Sequence, residues 1–109
     1  MAWTVKFFQT ERGKSPIEDF IKDQDDTTYA KILHLILLLK NNGPFLKPPY
    51  IKKLQSGLYE LRTTGKVAVR IFYTMINNEY YLLHAFKKKT NKTPVKEIKI
   101  VLDRIKELI

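Results

Sequence analysis

Three short segments gather the residues able to handle a negatively charged substrate. They are Glu60 and Arg62 in GLYELR (57 to 62), Arg70 and Phe72 in VAVRIFYTMI (67 to 76), and His84, Phe86, Lys87, Lys88, Lys89, Thr90 and Lys92 in YYLLHAFKKKTNK (80 to 92). Arginine forks hold phosphate through paired hydrogen bonds, and lysine adds a compact point charge. Aromatic rings offer stacking surfaces for unpaired bases, and an imidazole titrates near neutrality. Three successive lysines repel one another and give a fold no evident benefit, so an anionic partner beside them is expected. The plainer alternative is that Glu60 and Arg62 pair with charges across neighbouring strands and that the lysines form a solvated loop.

Composition favours the first reading. Of the net charge of +9, residues 1 to 30 contribute four Lys/Arg against six Asp/Glu, or −2, and residues 31 to 109 sixteen against five, or +11. A field so uneven suits a polyanion, nucleic acid above all. The chain has no cysteine and only two histidines, His34 and His84. Disulfides and thiolate sites are therefore excluded, a structural zinc cluster is not expected, and no metal or other cofactor is. Lack of cysteine also suits a reducing, cytoplasmic setting. The start, MAWTVKFFQTERG, lacks the pattern of a signal peptide, and the apolar run ILHLILLL is far below the ~20 residues that cross a bilayer. A chain of 109 residues makes one domain, 1-109.

The elements that must position these residues follow from patterning. Trp3 to Phe8 alternates as a first strand, with Trp3, Phe7 and Phe8 as core residues. Ser15-Pro16-Ile17-Glu18 has the capping-box form and opens a short helix to about Lys22. Asp25-Asp26 caps a second helix from about Thr27 to Lys40, ended by Asn42-Gly43-Pro44, so the two make a helical hairpin. His34, inside that apolar helix, receives no role. Phe45 to Tyr50 reads as extended, with Pro48 and Pro49 fixing a surface connection. Strands follow over Tyr50 to Arg62, broken near Ser56-Gly57, over Val67 to Ile76, and over Glu79 to Lys87, with tight turns at Thr64-Gly65-Lys66 and Asn77-Asn78. Thr93-Pro94 caps a last amphipathic helix. The layout is α+β, a small antiparallel, partly mixed sheet with an N-terminal helical hairpin and a C-terminal helix.

Strand alternation sorts the candidates by face. Val67, Val69, Ile71, Tyr73 and Met75 form one apolar set, joined by Tyr59 and Leu61 and by Tyr81, Leu83 and Ala85. Glu60, Arg62, Arg70, Phe72, His84 and Phe86 then share the opposite face, with the lysine run at its edge. That arrangement is an anion-binding cleft.

The combination GLYELR, VRIFY (69 to 73) and LLHAFKKKTNKTPVKEI (82 to 98) resembles the RelE/HigB superfamily of toxins from bacterial type II toxin-antitoxin modules, in particular its phage-derived branch. Glu60 and Arg62 match an E-L-R motif, Arg70 and Tyr73 an R-x-x-Y motif, and His84, Phe86, Lys87, Lys88 and Thr90 an H-x-F-x-K-K-T motif. Lys66-Val67-Ala68-Val69, which extends the strand before Arg70, departs from the branch. The resemblance implies a RelE-like fold, endoribonuclease activity on messenger RNA at the translating ribosome, and inhibition by a small antitoxin that often carries a helix-turn-helix domain. Its expected surface is the cationic cleft or the acidic hairpin.

A metal-free ribonuclease of this type uses the RNA 2′-hydroxyl to attack the adjacent phosphorus and expel the 5′-oxygen, which calls for a base, an acid and charge stabilisation. Arg62 and Arg70, with Lys87 or Lys88, are assigned to the scissile phosphate, and His84 to proton transfer. Glu60 is either the base or the group that orients Arg62. Glu60, Phe72, Phe86, Lys89, Thr90 and Lys92 line the RNA path. Two rivals stand beside this reading: a basic module that binds RNA or ribosome without cutting it, and a subunit whose basic face docks an acidic protein.

Overall fold

The computed structural model describes residues 2–89 and 92–109. Its elements are β1 (Thr4–Phe7), α1 (Pro16–Lys22), α2 (Asp26–Asn42), a 3-10 turn (Gly43–Phe45), β2 (Ile51–Gln55), β3 (Leu58–Arg62), β4 (Val69–Ile76), β5 (Glu79–Lys87) and α3 (Val95–Leu108). The strands form one sheet in the order β1-β5-β4-β3-β2. β1 runs parallel to β5 and the remaining neighbours are antiparallel. The α+β class and the mixed sheet expected from the sequence are both present.

Local chemistry explains most of the boundaries. The Asp25 carboxylate accepts the Thr28 amide at 2.8 Å and caps α2. Gly43 ends that helix at φ +53°, and a Cβ there would lie 2.5 Å from the Trp3 indole, so both backbone and packing demand glycine. Asn77 and Asn78 take positive φ in the two-residue turn joining β4 to β5. Other expectations need correction. Ser15 makes no capping bond, and its hydroxyl is buried without a partner. Pro94, not Thr93, precedes α3. The stretch from 45 to 50 is not extended, because the 3-10 turn is followed by a second turn in which the Tyr50 amide donates to the Lys47 carbonyl. β4 starts at Val69 and not at Val67. There the Thr63 hydroxyl donates to the Val67 carbonyl and accepts the Val69 amide, folding residues 63–68 into a loop before Arg70.

The sheet is covered on both faces, which alternation alone did not reveal. On the first face α1 and α2 bring Ile17, Ile21, Ile32, Leu35 and Leu39 against Leu61, Val69, Ile71, Tyr73, Leu82 and Ala85. Met75, expected in that set, is left exposed near the end of β4. On the second face α3 presses Val101, flanked by Ile98 and Ile105, onto Leu58, Phe72, Leu83 and Phe86. β5 reaches both layers through a bulge. Phe72 is opposite His84 but Tyr73 is opposite Leu82, so Leu83 is the extra residue. The bulge breaks the alternation expected for Tyr81, Leu83 and Ala85. Tyr80, Leu82 and Ala85 pack under the hairpin, whereas Tyr81 and Leu83 pack under α3.

Phe72 is therefore a core residue and not a platform for bases. It is fully buried, and its ring packs in a triangle with His84 and Phe86 at centroid distances of 6.4 and 5.6 Å. Phe72→Ala is expected to lower the unfolding free energy by about 3–5 kcal/mol in a urea titration, the cost of emptying a closed aromatic site. A loss below about 1 kcal/mol would show that α3 does not seal this face.

Candidate active site

Pairing across the sheet arranges the charged residues in two rows. Lys52, Glu60, Phe72 and His84 stand opposite one another across β2 to β5, and Arg62, Arg70 and Phe86 form the next row. The common face inferred for Glu60, Arg62, Arg70, Phe72, His84 and Phe86 is thus present. α3 divides it, however. Phe72, Phe86 and most of His84 lie beneath the helix, and a strip remains in which Arg62 and Lys88 are partly exposed and Arg70 is largely buried beside them.

Glu60 is the centre of that strip, although only 1% of it is exposed. Its Oε1 lies 3.5 Å from Arg62 Nε and 3.4 Å from Arg70 Nε, while Thr93 Oγ1 donates to Oε2 at 3.4 Å. One carboxylate thus draws two guanidiniums together without a normal hydrogen bond to either Nε. Arg70 is further held by donation to the Val69 and Thr63 carbonyls, at 3.0 and 3.4 Å. Burial, then the neighbouring Arg62 charge, pushes Arg70 below the usual guanidinium range, with Glu60 opposing. Lys88 belongs to the same group. Burial first, then Arg70, Arg62 and Lys52, lower its ammonium pKa from the ordinary 10.5, and Glu60 opposes the shift. Glu60 is too deep to touch RNA, so its place is that of an orienting counter-charge.

The remaining predicted residues separate. Lys87 pairs with Val69 on the hairpin face and adds positive charge near Asp25, so it is not part of the arginine group. Lys89 and Lys92 are exposed in the segment between β5 and α3, and Thr90 lies outside the described residues. Phe86 is 8% exposed and belongs to the second core, which corrects its assignment to the RNA path. His84 is engaged by α3. Its Nε2 is bonded to Glu97 Oε2, and Arg104 donates to its Nδ1 at 3.3 Å and to the Leu83 carbonyl at 2.7 Å. Because a guanidinium only donates, Nδ1 accepts and Nε2 carries the proton. Both ring nitrogens are committed, and the imidazole acts as a fastening for α3 in this arrangement.

Lys52 is the residue that sequence reasoning missed. The signal was available, since placing Lys52 opposite Glu60 needs only the register of the β2–β3 turn. A larger cleft, of about 590 Å³, lies away from the strip between α1 and α3, where Asp19 and Asp23 face Lys22, His84 and Arg104. Its balanced charges do not suit a polyanion. Among the described residues no group of three or more His, Cys, Asp or Glu is placed to hold a metal ion, and no helix is long and apolar enough to cross a membrane.

A family model described as "Phage derived protein Gp49-like (DUF891)" matches residues 19–106, which include every member of the strip. The chain belongs to the Gp49-like phage-derived protein family. That family is toxin-like, so the Gp49-like chain is a toxin-like module. No curated protein matches it.

Two outcomes test this geometry. Glu60→Gln leaves two guanidiniums without their counter-charge and is expected to cost about 3 kcal/mol in denaturant unfolding, the lower end for breaking a buried pair because Arg62 is partly solvated. The second concerns pH. Burial, partly offset by Glu97 and reinforced by Arg104, lowers the His84 pKa from 6.5. The unfolded chain then binds a proton more readily than the folded one just below pH 6.5. Stability is full above that value and falls as pH drops through it towards the folded pKa, by at most one proton's worth, about 1.4 kcal/mol per pH unit. His84→Gln is expected to flatten the dependence of Tm on pH between 7.5 and 5.5, and an unchanged slope would place the linkage elsewhere.

Proposed function

We propose that this Gp49-like chain is the toxin of a type II toxin-antitoxin pair and acts as a metal-independent endoribonuclease on messenger RNA, at the translating ribosome in the cytoplasm. The observation that supports it most is the buried Glu60 carboxylate holding Arg62 and Arg70 side by side, with Lys88 in the same field. Two adjacent guanidiniums match the two non-bridging oxygens of a phosphodiester and the charge that builds on them during in-line attack. In the proposed reaction the RNA 2′-oxygen forms a bond to phosphorus and the bond to the 5′-oxygen breaks, leaving a 2′,3′-cyclic phosphate and a free 5′-hydroxyl. The 2′-proton passes to water. Lys88, whose ammonium is made more acidic by burial and then by its cationic neighbours, gives a proton to the departing 5′-oxygen. Lys52 and Lys89 attract the chain electrostatically.

A second reading is favoured by one observation. His84 is fastened to Glu97 and Arg104, so the expected proton-transfer group is not turned to the strip. A module that holds RNA or ribosome without cutting it would keep the arginine pair and need no such group. In either reading a small antitoxin, of helix-turn-helix type by the family resemblance, is the expected protein partner.

Cleavage of a reporter message in a translating extract separates the readings. Wild type is expected to cut, Arg70→Ala to cut ~10²- to 10³-fold more slowly, and Lys89→Ala to lose activity mainly at low salt, the deficit shrinking as salt rises. Intact messages in the presence of bound wild-type protein would overturn the enzyme reading and leave the binding module.

A further inference from the structure

A small cavity beside the arginine strip has the size and lining of a second phosphate site. It lies between α2 and the end of β3, holds about 60 Å³, and is walled by Lys31, His34, Tyr50, Arg62, Thr63 and Thr64 together with Leu35. That volume has room for a small tetrahedral oxyanion. The polar side chains around it are cations, an imidazole, a phenol and hydroxyls, and no carboxylate is among them.

The cavity is a product of the fold and not of chance side-chain reach. Leu35 is buried in the first core, which fixes the face of α2 and sets Lys31 and His34, one turn of helix apart, towards the end of β3. Lys31 Nζ donates to the Thr64 carbonyl at 3.0 Å, so its ammonium is held at the rim. The Arg62 amide donates to the Tyr50 carbonyl at 2.8 Å, which joins the two backbones at the cavity wall. Arg62 also connects the two places, since its Nε is 3.5 Å from Glu60 and the same residue walls the cavity.

We propose that this cavity binds the phosphate next to the scissile one along the RNA chain, with Lys31, His34 and Tyr50 as its own ligands and Arg62 shared. The inference rests on the ribonuclease reading for the identity of the chain that enters. It adds a site remote from the reacting atoms, which positions the substrate and sets how many nucleotides are gripped.

The test uses the intact protein and two short RNA analogues blocked by a 2′-deoxy sugar at the internal linkage. One is a dinucleotide with a single internal phosphate, and the other adds a terminal phosphate at the 5′ or the 3′ end. In competition anisotropy, the terminal phosphate at one of the two ends is expected to raise wild-type affinity about tenfold, the worth of one charge-assisted contact. In a Lys31→Met, His34→Ala variant that increment should fall below about threefold, with affinity for the plain dinucleotide unchanged. Arg70→Ala should weaken both analogues alike and keep the increment. Lys31 and His34 are exposed, and a far-ultraviolet dichroism spectrum checks that the variant folds. An increment that survives in the double variant, or that is absent from wild type, overturns the site while the ribonuclease reading stands. Wild type that binds neither analogue overturns both, and wild type that binds with the increment but leaves translated messages whole overturns only the enzyme reading.

Discussion

The charged part of this molecule depends on one buried carboxylate. Two guanidiniums on adjacent strands, directly opposite in register, would separate and seek solvent if nothing negative lay between them. Glu60 supplies that charge from a position almost wholly out of water, and Thr93, just before α3, donates to the same carboxylate. A buried ion pair of this sort rarely adds much net stability, because desolvation consumes most of the Coulombic gain. Its value is geometric. The cost of bringing two cations together is met when the chain folds, so in the proposed ribonuclease reaction a phosphate would meet them already in place.

α3 is the second determinant, since it decides how much of the charged face stays open. Amphipathic and pressed down by Val101, it turns half of that face into a core, and the His84, Glu97 and Arg104 contacts fasten its middle to β5. The stack of Phe72, His84 and Phe86 is thereby a packing device. What is left is a strip with arginine and lysine on it and little aromatic surface, which under the proposed function would grip a sugar-phosphate backbone more than read bases.

Much of this was legible in the sequence, for identifiable reasons. Alternation in the eight residues of β4 put Arg70 and Phe72 on one side and Val69, Ile71 and Tyr73 on the other, and turn chemistry at Asn77-Asn78 and Gly57 gave the neighbours of that strand. The parallel edge formed by β1, the bulge at Leu83 and the covering of the second face were not legible in the same way. Each arises from contacts between segments far apart in the chain, and a local pattern carries no record of what lies on top of it. His84 shows the difference. The face it shares followed from counting, but its partners belong to a helix whose docking no motif specified. Lys87 and Lys88 show it again, because adjacent residues of one run project to opposite sides and only one can join the arginines. His34 was set aside for lying in an apolar helix, and the fold turned its face towards the end of β3.

The parallel pairing of β1 with β5 has a consequence for the order of assembly. Thr4 is matched with Glu79, so this edge strand has no partner until some seventy-five further residues have been added. Contacts of such sequence separation form late, after the local hairpins. During that interval the helical hairpin lacks the strands it packs on, and the cationic strip, built on β3 and β4, lacks the helix that fastens over its neighbour. The arginine pair of β3 and β4 would thus reach its final setting only once β5 and α3 have been added, a delay between the making of these strands and the completion of the face they share.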